Sequence, residues 1–233
     1  MSVKKDKVAV SRFHVLDFLR GLAIVQMVIF HAAFDLTIFK FLHINFQDDP
    51  FWYPFPRVIV FNFLICVGMS LRLVHLEKIN WSLVRSRFAL LGSIALGITI
   101  VTYFAFPKNY IFFGTIHAIA LCSLFGVFFL RFPKSSGIVG ALMLALNIYF
   151  QPTIIPISKW LGVVSMDYIP FIPWFGATLV GIYLHSIGVH KLALTQNRLT
   201  RFIQKMGKKS LIIYVLHQPV LFSLSYLLNK VFH

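Results

Sequence analysis

The stretch from Leu16 to Asp35, LDFLRGLAIVQMVIFHAAFD, is long enough to cross a bilayer as a helix. It nevertheless carries Asp17, Arg20, His31 and Asp35. A helix advances about 100° per residue, so positions 17, 20, 24, 27, 31 and 35 recur at spacings of three and four and share one stripe. Ionisable side chains at membrane depth are costly and face a bundle interior or a water-filled cavity. This helix is therefore the first place to look for function, with Asp17 and Arg20 near one membrane surface and His31 and Asp35 near the other.

The rest of the chain fits such a helix. Its 233 residues are 58% hydrophobic and 12% charged, against about a quarter charged in a soluble domain. The expected fold is all-α, a polytopic transmembrane helical bundle forming one domain over residues 1–233. Seven apolar segments are read, at roughly 14–36, 57–76, 86–106, 112–131, 136–151, 168–187 and 209–229. Pro152 and Pro156 close the shortest of them, the fifth.

The formal net charge of +15 invites a nucleic-acid reading, but the charges sit between apolar spans rather than on one basic face. Topology accounts for them. With the N-terminus inside, only Lys40, Arg57, Lys108, Lys159 and Lys230 of the 22 Lys and Arg fall outside. That bias predicts an inner N-terminus, an outer C-terminus and about seven helices. The basic start resembles a signal peptide, yet the apolar run is long and no small-x-small site follows, so an uncleaved first helix is expected. Cys66 and Cys122 lie mid-span and read as small packing residues rather than a disulfide pair. Of the longer connections, residues 37–56 are aromatic and suit the interface, and residues 188–208 are basic and amphipathic, suited to anionic headgroups.

Sorting the unusual residues by depth gives two polar layers. His31, Asp35, Arg57, Asn62, His117, Asp167, Tyr168 and Trp174 fall on the outer side. Asp17, Arg20, Arg72, His75 and Ser210 fall on the inner side, with His217 and Gln218 deeper on the last helix. A histidine exchanges a proton near neutral pH, and a carboxylate one turn away can orient it, which is how His31 and Asp35 are spaced. Arg20 and Arg72 suit a phosphate-bearing donor. Each also has a plainer use. Asp17 and Arg20 can be an i,i+3 ion pair, His117 a satisfied core histidine, and Asp167 a partner for a helix dipole. His217 can answer a carbonyl that Pro219 frees. No His-x3-His pair or Cys/His spacing within a span points to a metal or haem.

Five blocks then stand out in order: LDFLRGLAIVQMVIFHAAFDL, FNFLICVGMSLRL, FGTIHAIAL, YIPFIPWFGATLVGIYL and GKKSLIIYVLHQPVL. From about Arg12 to Leu221 the chain resembles the bacterial branch of the heparan-alpha-glucosaminide N-acetyltransferase catalytic-domain family, within the transmembrane acyltransferase superfamily. The resemblance implies a multi-pass protein of the bacterial plasma membrane. It would move an acetyl or other acyl group from cytoplasmic acetyl-CoA to an amino sugar or hydroxyl of an envelope glycan on the outer side. It implies His31 as catalytic base with Asp35 as its orienting partner, and His43, in the loop after the first helix, as a second candidate. Asp17, Arg20, Arg72, Ser210 and His217 would bind the donor. Arg57, Asn62, His117, Asp167 and Trp174 would line the acceptor side. An acetyl-histidine and a direct attack by the acceptor both remain open. The lysosomal relative is larger, with additional helices and a luminal domain absent here. The implied partners are acyl-CoA, the glycan and the bilayer, without metal or nucleic acid, and a homodimer is left open. The alternatives from other classes are a small transporter or exporter whose permeation path the stripe lines, and a non-catalytic membrane scaffold; no internal inverted repeat supports the former.

Overall fold

A computed structural model describes residues 14–150 and 165–232, and these are all-helical, with no strand among them. Eight α-helices follow in order: α1 (His14–Ile38), α2 (Phe55–Val74), α3 (Trp81–Ala105), α4 (Thr115–Gly126), α5 (Pro133–Phe150), α6 (Phe171–Ser186), α7 (Arg198–Lys208) and α8 (Ser210–Phe232). Each of the seven apolar segments contains a helix, and α7 is an eighth within the basic connection.

Among the described residues four helices, α1, α2, α3 and α8, are long and apolar enough to cross a membrane by themselves. The expectation of seven full spans meets a local reason at α4. Residues 106–114 fold back along α3, where Thr99 donates from Oγ1 to the Ile111 carbonyl at 2.7 Å. The chain so folded returns several residues short of the end of α3 before α4 begins, and α4 reaches only Gly126 before a 3-10 turn, Val127–Phe129.

The helix starts follow from local chemistry. Asn80 caps α3 by accepting from the Leu83 N–H at 3.2 Å. Asn197 and Thr200 form a reciprocal box at the start of α7, 2.8 and 2.9 Å. Pro54 and Pro56 set the entry to α2, where a missing N–H costs nothing.

Packing rests on glycines that let backbones meet. A Cβ on Gly68 would stand 2.0 Å from the Thr178 carbonyl, and one on Gly181 would stand 2.3 Å from that of Ile65, which locks α2 on α6. The same reciprocity joins α1 to α7. A Cβ on Gly21 would lie 1.9 Å from the Ile203 carbonyl, and one on Gly207 1.8 Å from that of Asp17. Small residues at a crossing bring helices into close van der Waals contact where no hydrophobic drive exists between them. The core runs through Ala23, Ile24, Leu64, Ile119, Cys122, Leu179 and Ile182. Cys66 and Cys122 are buried and free. The aromatic connection folds onto α1 at Phe30, whose ring lies 5.4 Å from Phe46 and 6.3 Å from both Trp52 and Phe55.

Candidate active site

The first polar group lines a cavity. Arg20 of α1 and Arg87 of α3 face a space of about 240 Å³ whose walls include Phe63, Ser70, Ser210 and Tyr214. Arg20 donates from Nη2 to Ser70 Oγ, and that hydroxyl donates to the Cys66 carbonyl. Asp17 stands 3.9 Å from Arg20 Nη1. The expected ion pair is thus present at full stretch, and a serine holds the guanidinium in place. Arg87 is a functional candidate missed above. Its signal was available: an arginine at the edge of an apolar segment is the clue that singles out Arg20.

Arg72 belongs elsewhere. It donates from Nη1 to the Leu130 carbonyl, at the end of the 3-10 turn, and it is absent from the cavity lining. Near it His185 and His190 stack with ring centroids 3.8 Å apart and an interplanar angle of 3°.

The second group joins the far half of α1 to α8. His31 and His217 are 4.8 Å apart between ring centroids. Gln218 donates from Nε2 to both Asp35 oxygens, at 2.9 and 3.2 Å, and Asp35 is fully buried. The sequence sets His217 beside the donor residues, and α8 brings it to His31. It sets Asp35 to orient His31, and the Asp35 carboxylate here takes the Gln218 amide from α8.

The hydrogen bonds of His217 fix its chemistry. Its Nδ1 meets the Tyr214 carbonyl at 2.7 Å and so donates; in the neutral ring Nε2 then keeps the lone pair. That carbonyl is one residue before Val215, the one Pro219 leaves without its helical donor. His217 Nε2 and Gln218 Oε1 are buried without partners. With Asp35 they make a cluster of hydrogen-bond acceptors short of donors.

A third group sits at the start of α4. Thr115 donates its backbone N–H to Asp167 Oδ2 at 2.9 Å, and its hydroxyl lies 3.1 Å from the same atom. Asp167 therefore serves the N-terminus of α4, a different helix from the one it precedes in sequence. Burial pushes the Asp167 carboxyl up, and the bonds from Thr115 pull it back. Gly114 permits this approach, since a Cβ there would meet Asp167 Oδ2 at 2.5 Å. His117 is committed at both nitrogens: Nδ1 accepts from the Gly114 N–H at 3.2 Å, and Nε2 lies 3.1 Å from Thr99 Oγ1.

The other expected acceptor residues are dispersed. Asn62 donates to Gln26 Oε1 at 2.9 Å across α1 and α2. Arg57 donates to the Tyr53 carbonyl at 2.6 Å and lies 4.1 Å over the Tyr53 ring. Trp174 packs against the core. His43 is exposed, in an open concavity of about 590 Å³ lined by Thr37, Lys40 and Asn45, apart from His31. Among the described residues no three His, Cys, Asp or Glu gather as a metal set.

Membrane-length helices around an arginine-edged cavity, one helical turn from a histidine pair, make this a multi-pass membrane protein. The family described as heparan-alpha-glucosaminide N-acetyltransferase, catalytic, matches residues 12–219, and the chain belongs to it. It is thus a membrane acyltransferase by family. Comparison with curated proteins and with solved structures gave no match.

Proposed function

We propose that this chain takes an acetyl group from cytoplasmic acetyl-CoA and delivers it to an amino sugar or hydroxyl of an envelope glycan on the outer face of a bacterial plasma membrane. The observation that carries the reading is the sequence of contacts along α8. Ser210 and Tyr214 line the arginine cavity, and His217, one turn on, meets His31. The basic inner loops favour an N-terminus on the cytoplasmic side, and in that orientation Arg20 and Arg87 face the donor. Their guanidinium groups suit the phosphates of the donor, and the apolar wall suits its acyl end.

In this reading His31 accepts the proton of the attacking amine or hydroxyl as that atom bonds the thioester carbon. The carbon–sulfur bond breaks, and the thiolate takes up the proton from the histidine pair. His217, with its tautomer fixed by the Tyr214 carbonyl, stands beside His31 as the second proton-handling group. His31 is favoured over His43 because His43 is exposed and belongs to a separate concavity. The test is acetyl transfer by the purified protein with radiolabelled acetyl-CoA. His31→Ala is expected to bind the donor and fail to transfer it, while His43→Ala transfers. Unchanged turnover in the first variant, or its loss only in the second, overturns the assignment.

A further inference from the structure

Helix α7 has three sides, and one is buried. On the apolar side Met206 also packs against the core, while its neighbours on that side are exposed among the described residues. Ile203, Gln204 and Gly207 are buried against α1. Arg198, Arg201, Lys205 and Lys208 recur at spacings of three and four on a second side and are exposed. Leu199 and Phe202 lie on the third, 64% and 58% exposed. No acidic residue follows Asp167 anywhere in the chain. The apolar residues that α7 needs for its own docking are therefore spent on α1, and a separate apolar pair remains beside an unbalanced row of cations.

We propose that α7 is a docking helix for anionic phospholipid. Leu199 and Phe202 enter the boundary between headgroups and acyl chains, and the four cations meet lipid phosphates. A helix lying in the interface needs this arrangement of an apolar stripe flanked by Lys and Arg. Its orientation is set before any lipid binds, by the Asn197–Thr200 box at its start and by the Gly21–Gly207 crossing. The crossing also gives the contact a consequence. The backbone that α7 grips, at Asp17 and Gly21, flanks Arg20, so lipid on α7 bears on the arginine cavity.

Spin labels test this independently of acyl transfer. Cys66 and Cys122 are buried, so a single introduced cysteine labels alone. Labels at Phe202→Cys and at Lys205→Cys are compared in nanodiscs of phosphatidylcholine and of phosphatidylcholine mixed with phosphatidylglycerol. The label at 202 is expected to be reached by oxygen and the label at 205 by aqueous nickel chelate, with the 202 label deeper when phosphatidylglycerol is present. Joint Arg198→Gln, Arg201→Gln, Lys205→Gln and Lys208→Gln substitution abolishes that difference. Phosphatidylglycerol retained in native mass spectrometry falls by on the order of fivefold per cation removed. A 202 label that is aqueous in both bilayers overturns the proposal. So does one shielded from both reagents, which means a second copy or another segment covers the face, and so does a phosphatidylglycerol effect that survives the four substitutions.

Discussion

The two ends of α1 carry opposite hydrogen-bonding capacity. At the near end Arg20 meets a serine hydroxyl and faces Arg87 across an open cavity, so N–H donors are in excess. Beyond His31, the Asp35 carboxylate takes the Gln218 amide, while the buried His217 Nε2 and Gln218 Oε1 have no partner. A surplus of donors fits an anion, and a surplus of acceptors fits a group that arrives with protons to give. One helix thus presents two chemistries, separated by the turn of α8 that bears Tyr214. In the proposed function the donor meets the first chemistry and the acceptor the second.

The largest effects are expected where the acceptors lie. His31→Ala and His217→Ala should each lower kcat by about 10²–10⁴-fold, the range for removing a proton-transfer group. Donor binding in both should stay near wild type by equilibrium dialysis. If His217→Ala turns over normally, the second group is a scaffold and the comparison loses its outer half. At the cavity, Arg20→Gln and Arg87→Gln should weaken acetyl-CoA binding by about ten- to a hundredfold, from about 1.5–3 kcal/mol per charge-assisted bond, with kcat little changed. Arg72→Gln serves as the internal control, because its guanidinium is bound to the Leu130 carbonyl away from the cavity. Equal weakening by Arg72→Gln would show that the donor reaches beyond Arg20 and Arg87.

A smaller but sharper test concerns Asp35. Its bonds to Gln218 make it a positioning residue that ties α8 to α1 and so holds His217 against His31. Asn at position 35 can still accept from the Gln218 amide, so Asp35→Asn should keep most of the turnover and leave the pH–rate profile where it is. Gln218→Leu strands the fully buried Asp35 side chain, which costs more than the about 1–3 kcal/mol of a neutral group if it is charged, and should lower both the melting temperature and kcat. The reverse order, with Asp35→Asn moving the pH profile and Gln218→Leu silent, would return Asp35 to its expected place as the partner of His31.

These outcomes follow the line between what was legible and what was not. Apolar periodicity located every long helix among the described residues, and the spacing of Asp17, Arg20, His31 and Asp35 divided α1 into its two ends, because both signals are local. Contacts between distant helices left no such trace. Asp35 and Gln218 are 183 positions apart, and nothing in either segment specifies that α8 faces Asp35. Arg72 and His117 carry the same residue types as Arg20 and His31, and residue type alone does not reveal that a carbonyl or a helix start already occupies them. The sequence marks the segment of α7 as basic and amphipathic, suited to headgroups, but not as docked on α1. The crossing that docks it depends on two glycines, Gly21 and Gly207, which hydropathy cannot weigh.

The smallest expected effect lies at α4, and it asks whether the acceptor-rich end extends to Asp167. As a cap on the Thr115 N–H, Asp167 contributes through a charge at a helix N-terminus, about 0.3–1 kcal/mol. Asp167→Asn retains an acceptor oxygen and should lower the melting temperature only slightly, with transfer intact. Gly114→Ala should cost more, about 1 kcal/mol or above, because its Cβ displaces the carboxylate from the cap. Thermal unfolding in detergent, followed beside transfer assays, reads both. A loss of transfer in Asp167→Asn at unchanged stability would mean that the carboxylate meets the acceptor. The acceptor-rich end of α1 would then run through Tyr214 to α4, and the far site would be wider than the histidine pair.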